Sequence, residues 1–293
     1  MREEGRTIAD DERNPMHLLQ ALALAVLQGA SELFPVSSLG HAVVWPALLG
    51  WRLDQHGPAF LPFLVMLHLG TATALLTFFW RDWWALARGV VGLGGAHAVA
   101  EARRVLWLVI VATLPAVVVG FVLEHALRRL FGAPTLVALM LVGNGVLLAG
   151  VERLRARRPH KTLAALTPVD ALVIGLWQCL ALVPGFSRSG ATIAGGLLRG
   201  VDHEGSAHFS FLIATPIILG ATVLEVPKLL RHGAVPGMWH VAWLGAVVAG
   251  VVAWFSTAFL MRWFQRDDAT RLSPFALYCV VFGLGAFGFL MAR

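Results

Sequence analysis

Gln28-Gly-Ala-Ser-Glu-Leu-Phe-Pro-Val-Ser-Ser-Leu-Gly-His41 interrupts an apolar run over residues 17–50, and Pro184-Gly-Phe-Ser-Arg-Ser-Gly-Ala-Thr192 interrupts a second over 169–200. Each polar stretch breaks an apolar helical run at a proline, offers two serines and a glycine, and then starts a new apolar run. The pieces on either side are too short to cross about 30 Å of hydrocarbon alone, which takes roughly 20 residues. Each run therefore reads as a re-entrant helix pair. Irregular backbone at membrane depth is tolerated only where protein buries it or it lines a wet cavity. Ionisable groups at that depth, here Glu32, His41 and Arg188, are functional candidates by default.

The rest of the chain agrees with a bilayer. It is 58% hydrophobic and 14% charged, against about 25% charged in a soluble domain. Apolar runs at 61–80, 105–123, 133–150, 207–224, 238–260 and 274–292 each approach a full span. The predicted fold is an all-α integral membrane protein with six full transmembrane helices and two re-entrant helix pairs. Residues 1–16 form a polar segment with acids at Glu3, Glu4, Asp10, Asp11 and Glu12. A secretory leader wants a basic, acid-poor start, so residues 18–30 are not expected to be one. Cys179 and Cys279 both sit in apolar runs and make neither a disulfide framework nor a zinc pattern.

The net charge of +6 does not point to nucleic acid, because the basic residues sit in short connections between apolar runs. Arg81, Arg88, Arg103 and Arg104 are expected in one loop, Arg153, Arg155, Arg157, Arg158 and Lys161 in a second, and Arg262, Arg266 and Arg271 in a third. The predicted topology puts all three on one face, assigned to the cytoplasm by the positive-inside rule. Both chain ends then lie outside, together with Arg128, Arg129, Lys228 and Arg231.

The two halves echo each other. Phe63-Leu64-Val65 returns as Phe211-Leu212-Ile213, 148 positions later, and Thr135-Leu136-Val137-Ala138-Leu139 returns loosely as Ser273-Pro274-Phe275-Ala276-Leu277. Each half holds one re-entrant pair and three spans, and an odd number of spans inverts the second half. The chain therefore divides into inverted-topology repeats over 17–150 and 169–293, one membrane domain joined by the basic loop 151–168. Interrupted segments at matching positions of such repeats point to a site near the bilayer midplane.

Gly185 and Gly190 flank Ser187-Arg188-Ser189 just where a helix should begin. Amides at a helix start and the positive end of its dipole make an anion site. Ser187, Ser189, Gly190 and Thr192 extend that cradle, and the Arg188 fork fits phosphate oxygens. In the first motif, Ser38 and His41 lie three apart at a helix start and can share a face, as a nucleophile with a base or an acid. Ser-x-x-His is frequent by chance. Glu32 follows Gln28 by four residues. Their oxygens suit a hard divalent cation, Mg²⁺ or Ca²⁺. The plainer alternatives are a buried ion pair of Glu32 with Arg188, and helix–helix hydrogen bonding by Gln28 and Gln178. His68 and Asn144 read as interhelical hydrogen bonds, and Asp202, His203, Glu204 and His208 as an interfacial connection.

On these residues the chain resembles the undecaprenyl-pyrophosphate phosphatases, also known as the bacitracin-resistance proteins. The first signature is matched by Gln28, Glu32 and Leu33-Phe-Pro-Val-Ser-Ser-Leu-Gly-His41, the second by Pro184 to Thr192. The likeness extends to Ala112-Thr-Leu-Pro-Ala-Val117 and Phe209-Ser-Phe-Leu212. It implies a multi-pass hydrolase of the cell (inner) membrane that removes the terminal phosphate of a polyprenyl diphosphate lipid. That step recycles the carrier for cell-wall synthesis and confers bacitracin resistance. The resemblance also implies a site open to the periplasm and a divalent cation. Glu32, Ser38, His41 and Arg188 are then the expected essential set, with Ser37, Ser187, Ser189, Gly190 and Thr192 around the phosphate. Leu39 and Phe186 stand where the family commonly has small polar residues, which implies a drier or narrower rim. A homodimer is left open.

Two rival readings differ from this one at particular residues or in class. The other membrane phosphatase superfamily needs a histidine where Ala194 stands and a lysine where Val151 stands. A flippase of polyprenyl phosphate is the rival from another class, since inverted repeats suit alternating access.

Overall fold

The computed structural model describes residues 18–51, 60–128, 133–155, 161–232, 238–265 and 271–293. The polar segment 1–16 and Arg129, Arg157, Arg158 and Arg266 lie outside them. The described residues form eleven α-helices, two short 3₁₀ turns and no strand beyond an isolated Lys161–Val201 bridge. The helices are α1 Leu18–Ser31, α2 Ser38–Leu49, α3 Phe60–Phe78, α4 Trp80–Val90, α5 Gly95–Arg128, α6 Pro134–Arg155, α7 Pro168–Gln178, α8 Arg188–Leu198, α9 His203–His232, α10 Met238–Phe264 and α11 Ser273–Met291. Stretches of α5, α6, α9, α10 and α11 are long and apolar enough to cross a membrane, and α3 with α4 makes a sixth if the bent pair counts as one. The outer surface is apolar. Phe121 is 80% exposed, and Val122, Phe255, Leu277 and Val281 also face out, a surface suited to lipid rather than water. This is a multi-pass membrane protein.

Several sequence expectations are corrected: Arg153 and Arg155 lie in the last turn of α6 and Arg262 in the last turn of α10, not in loops. The stretch 81–104 is not a loop: α4 covers most of its first half and α5 begins ten residues ahead of its apolar run. No proline interrupts 80–90. Leu86 and Gly89 turn inward while Trp80, Arg81, Trp84 and Arg88 turn outward, the one-sided pattern of a surface helix. The break comes at Phe79, where α4 departs from α3 by 76°. His203 and His208 likewise belong to the first turns of α9 rather than to a connection. Asp202 caps that helix, its Oδ1 accepting from the Gly205 N–H at 2.6 Å. His203 is buried, stacks on Phe264 and lies 3.2 Å from Glu152 Oε2.

Contacts define two ends of the bundle. At one end Arg104 donates to the carbonyls of Ala164 and Leu166, Asp82 meets His208, Gln265 meets Glu204, and Glu152 accepts from the Leu272 N–H. That end gathers α4, the starts of α5, α7, α9 and α11, and the ends of α6 and α10. At the other end Arg293, after α11, donates to the Ala47 carbonyl near the end of α2. The α7–α8 hairpin is anchored at the basic end by Asp170, which pairs with Lys161 (3.4 Å) and Arg199 (2.6 Å). The α1–α2 hairpin thus opens toward one end and α7–α8 toward the other.

Asp170 also completes a capping box with Thr167 at the start of α7. Burial opposes its charge. The Thr167 N–H, Arg199, the Thr167 hydroxyl and the Lys161 charge outweigh that and hold the carboxyl down to about 2. An unfolded aspartate titrates near ~3.9, so this anchor stabilises fully above that pH and is lost as pH falls through about 2. Asp170→Ala should cost about 1–2 kcal/mol at neutral pH, the sum of a cap and partly exposed bridges. Its melting temperature in detergent should approach that of the parent chain in strong acid. Equal melting at neutral pH would contradict the anchor.

Helices cross with backbone against backbone. A Cβ on Gly145 of α6 would lie 2.6 Å from the Ala276 carbonyl of α11, and one on Gly283 of α11 would lie 2.8 Å from the Ala138 carbonyl of α6. The contact is reciprocal: the two glycines are 138 positions apart, and so are the two alanines. A Cβ on Gly29 of α1 would lie 2.4 Å from the Ala249 carbonyl of α10, and one on Gly175 of α7 would lie 2.4 Å from the Ala112 carbonyl of α5. Small residues of this kind let helices associate in lipid, where no hydrophobic drive between them exists. The apolar core fills the space between α3, α8, α9 and α10, with Leu75, Leu197, Phe211 and Phe264 fully buried.

Candidate active site

Both polar stretches end in helix starts built alike. The hydroxyl of Ser37 caps α2 by accepting from the Gly40 N–H at 3.2 Å; the hydroxyl of Ser187 caps α8 by accepting from the Gly190 N–H at 3.1 Å. Ser38 and Arg188 occupy the first helical position after each cap. The two tips touch. A Cβ on Gly40 would lie 3.1 Å from the Gly185 Cα, and one on Gly190 would lie 3.3 Å from Pro35. Gly185 has φ 107, a conformation glycine adopts without penalty. Asn144 of α6 ties the tips together: its Nδ2 donates to the Pro35 carbonyl at 2.9 Å and its Oδ1 accepts from the Ser187 N–H at 3.0 Å.

Glu32 lies at the centre, buried in the turn between α1 and α2. Its Oε1 receives Arg188 Nη2 at 2.9 Å. Its Oε2 receives the Ser38 hydroxyl at 2.5 Å and the Gln28 amide at 2.9 Å. His68 of α3 approaches the same oxygen, with Nε2 at 3.5 Å and Nδ1 bonded to the Leu64 carbonyl at 2.7 Å. Arg188 Nη1 also reaches the Ser210 carbonyl at 3.4 Å, which leaves further donors of its five-donor fork for a ligand. The first-turn amides of α2 and α8 carry the positive ends of two dipoles to the same place. The result is a buried hydroxyl–carboxylate pair facing a guanidinium and two helix starts whose amides suit an anion.

The structure brings together Gln28, Glu32, Ser38 and Arg188 as the sequence predicts. It redraws the partner of Ser38. No hydrogen bond joins Ser38 to His41 among the described residues; the hydroxyl donates to Glu32 instead. A side chain at the first helical position leans back toward the helix start, which turns Ser38 to the preceding tip rather than along α2. The His41 nitrogens go to the Ser37 carbonyl and the Tyr278 hydroxyl, both at 2.7 Å. The Ser187 and Ser189 hydroxyls bond each other and reach the Phe34 carbonyl. Thr192 donates to the Arg188 carbonyl and pairs with Ser210 at 2.6 Å. These three hydroxyls hold tip to tip and α8 to α9. Gln178 donates to the Ala112 carbonyl, the helix–helix bond that was its plainer reading.

Sequence reasoning read His68 and Asn144 as interhelical hydrogen bonds, which the Asn144 contacts bear out, but it placed neither at the site, and it did not single out Tyr278. A histidine within an apolar helix was a usable signal for His68. Tyr278 is the single tyrosine of the chain, but nothing in its neighbourhood marks it.

A cation has a partial cradle. Gln28 Oε1 is buried without a hydrogen-bond partner, beside Glu32. No group of three or more His, Cys, Asp or Glu side chains forms a metal cage among the described residues. One carboxylate and one amide oxygen fit Mg²⁺ of the kind that takes its remaining ligands from water and substrate phosphates.

A model of the bacitracin resistance protein BacA family matches residues 21–285. The chain belongs to the BacA family. An undecaprenyl-diphosphatase of Granulibacter bethesdensis is 61% identical over 287 residues, covering 94% of this chain and 97% of that one. Proteins of the same description from Acidiphilium cryptum and Gluconacetobacter diazotrophicus are 56% and 55% identical, each over at least 90% of both chains. The matched BacA region takes in both hairpins, Asn144, His68 and Tyr278.

Proposed function

We propose that the chain hydrolyses the phosphoanhydride of undecaprenyl diphosphate, releasing inorganic phosphate and leaving the monophosphate lipid. The observation that carries this reading is the meeting of Ser38 and Arg188 on one carboxylate, in a chain 61% identical to an undecaprenyl-diphosphatase. Phosphoryl transfer asks a protein mainly for positioning and charge stabilisation. Arg188 and the amides opening α2 and α8 take the diphosphate. Glu32 accepts the Ser38 proton as Ser38 Oγ attacks the terminal phosphorus in line with the leaving oxygen, and water then cleaves the phosphoserine. Arg188 turns part of its fork from Glu32 to the phosphate on binding, which frees the carboxylate to act as base. Gln28 and Glu32 would hold a divalent cation that neutralises phosphate charge. Ser187, Ser189 and Thr192 hold the shape of the cradle, and His41 is given no proton in this scheme.

The chain is read as two inverted repeats, 17–150 and 169–293. The reciprocal α6–α11 crossing and the matched helix caps support that reading. The basic end is assigned to the cytoplasm of a cell inner membrane, with the α1–α2 side and the site open to the periplasm. The prenyl tail stays in lipid while the head group reaches the tips from the side.

Purified protein in detergent should release phosphate from undecaprenyl diphosphate and lose that release when a chelator is added; unchanged release with chelator would remove the cation from the scheme. Acid quenching during turnover should trap a phosphoenzyme that Ser38→Ala lacks; full activity of Ser38→Ala would end the covalent route. Lipid movement across vesicles without phosphate release would favour the flippase.

A further inference from the structure

The contacts of His41 fix the state of its ring. A carbonyl oxygen can only accept, so the bond of 2.7 Å to Ser37 O requires a hydrogen on Nδ1. In the neutral ring Nε2 is then the acceptor, and the Tyr278 hydroxyl donates to it at 2.7 Å. Phe282 stacks on the imidazole at 5.0 Å and 5°, and the Tyr278 ring lies parallel at 5.6 Å. Tyr278 is the titratable group among these contacts; Cys279, next along α11, is turned to Asn144. Both imidazole nitrogens are thus occupied away from Ser38.

What the imidazole holds is unusual. Ser37 is the one non-glycine residue at positive φ among the described residues, with φ 67. Such a conformation is unfavourable for a side chain bearing a Cβ and persists only where the surroundings enforce it. The Ser37 carbonyl receives both the His41 N–H at 3.2 Å and the His41 ring. Its hydroxyl caps Gly40, and the next residue is Ser38.

We propose that Tyr278 is a positioning residue of the phosphatase site: acting through His41, it holds Ser37 in its left-handed conformation and so aims the Ser38 hydroxyl at Glu32. The chain of contacts runs Tyr278 O–H to His41 Nε2, then His41 Nδ1–H to the Ser37 carbonyl. Without the donor at Nε2, the ring gains access to the other tautomer, in which an Nδ1 lone pair would face the Ser37 oxygen and repel it. The inference rests on Ser38 and Glu32 acting as nucleophile and base.

Tyr278→Phe tests it, because it keeps the stacked ring and removes only the hydroxyl. kcat for phosphate release from undecaprenyl diphosphate should fall about tenfold, the order expected for one orienting hydrogen bond, with KM nearly unchanged. The deficit should narrow in acid once the His41 ring is protonated, because an imidazolium always carries hydrogen on Nδ1. Taking the ratio to the parent chain at each pH cancels the pH dependence that both proteins share. His41→Asn places an amide N–H where Nδ1 stood and should retain more activity than His41→Gln or His41→Ala. A parental kcat in Tyr278→Phe, a deficit that widens in acid, or His41→Asn as inactive as His41→Ala would each overturn the proposal. Failure of the underlying reading shows separately, as full activity of Ser38→Ala.

Discussion

Glu32→Gln should lower kcat about 10³-fold, within the range of a lost general base. The Ser38 hydroxyl donates to Glu32 Oε2 at 2.5 Å, so the carboxylate both orients the nucleophile and receives its proton. Glutamine keeps the volume but is a far weaker base. Its amide group must also turn an N–H toward Ser38, Gln28 or Arg188, all of which are donors here. The substitution leaves Arg188, 13% exposed at its side chain, without its carboxylate, so a melting curve in detergent belongs beside the kinetics. Rapid-quench measurement of phosphoenzyme separates the two effects. A folded variant with a slow burst is the expected result; a burst at the parental rate would remove Glu32 from proton transfer.

Arg188→Lys should reduce kcat by roughly 10²–10³-fold, the usual effect of removing a donor from a developing oxyanion. Charge is conserved, and the contact with Glu32 can survive as a point charge. What disappears is the planar fork, which in the structure spans Glu32 Oε1 on one arm and the Ser210 carbonyl on the other. A lysine ammonium cannot satisfy a carboxylate and two phosphate oxygens in one plane. The loss should fall on kcat more than on KM if the fork tightens on the transition state. Steady-state phosphate release decides it, and near-parental turnover would exclude the proposed role.

The two polar stretches carried most of what could be read from the sequence, because their information is local. A proline breaks a helix, a serine three residues ahead of a glycine caps the next one, and an arginine among them has no bland use in lipid. The helix at Trp80–Val90 was less legible, since Arg81, Asp82 and Arg88 raise its polarity to that of a connection while its inward face is only Leu86 and Gly89. The partner of Ser38 was misassigned because spacing along an ideal helix says nothing about a side chain at its first position. His68 and Tyr278 reach the site from other helices, Tyr278 across 237 positions of sequence. Such pairings are set by tertiary packing: His68 stands out as a histidine in an apolar helix, but nothing local to it or to Tyr278 names the partner.

The crossing of α6 and α11 is self-complementary: the glycine of each helix seats on the alanine carbonyl of the other, at equivalent positions. Two identical subunits related by a dyad make contact in this way. The crossing has the form of a dimer interface folded into one polypeptide. On the proposed reading of two inverted repeats, the copies have diverged, so that one tip carries the guanidinium and the other the hydroxyl and the acid.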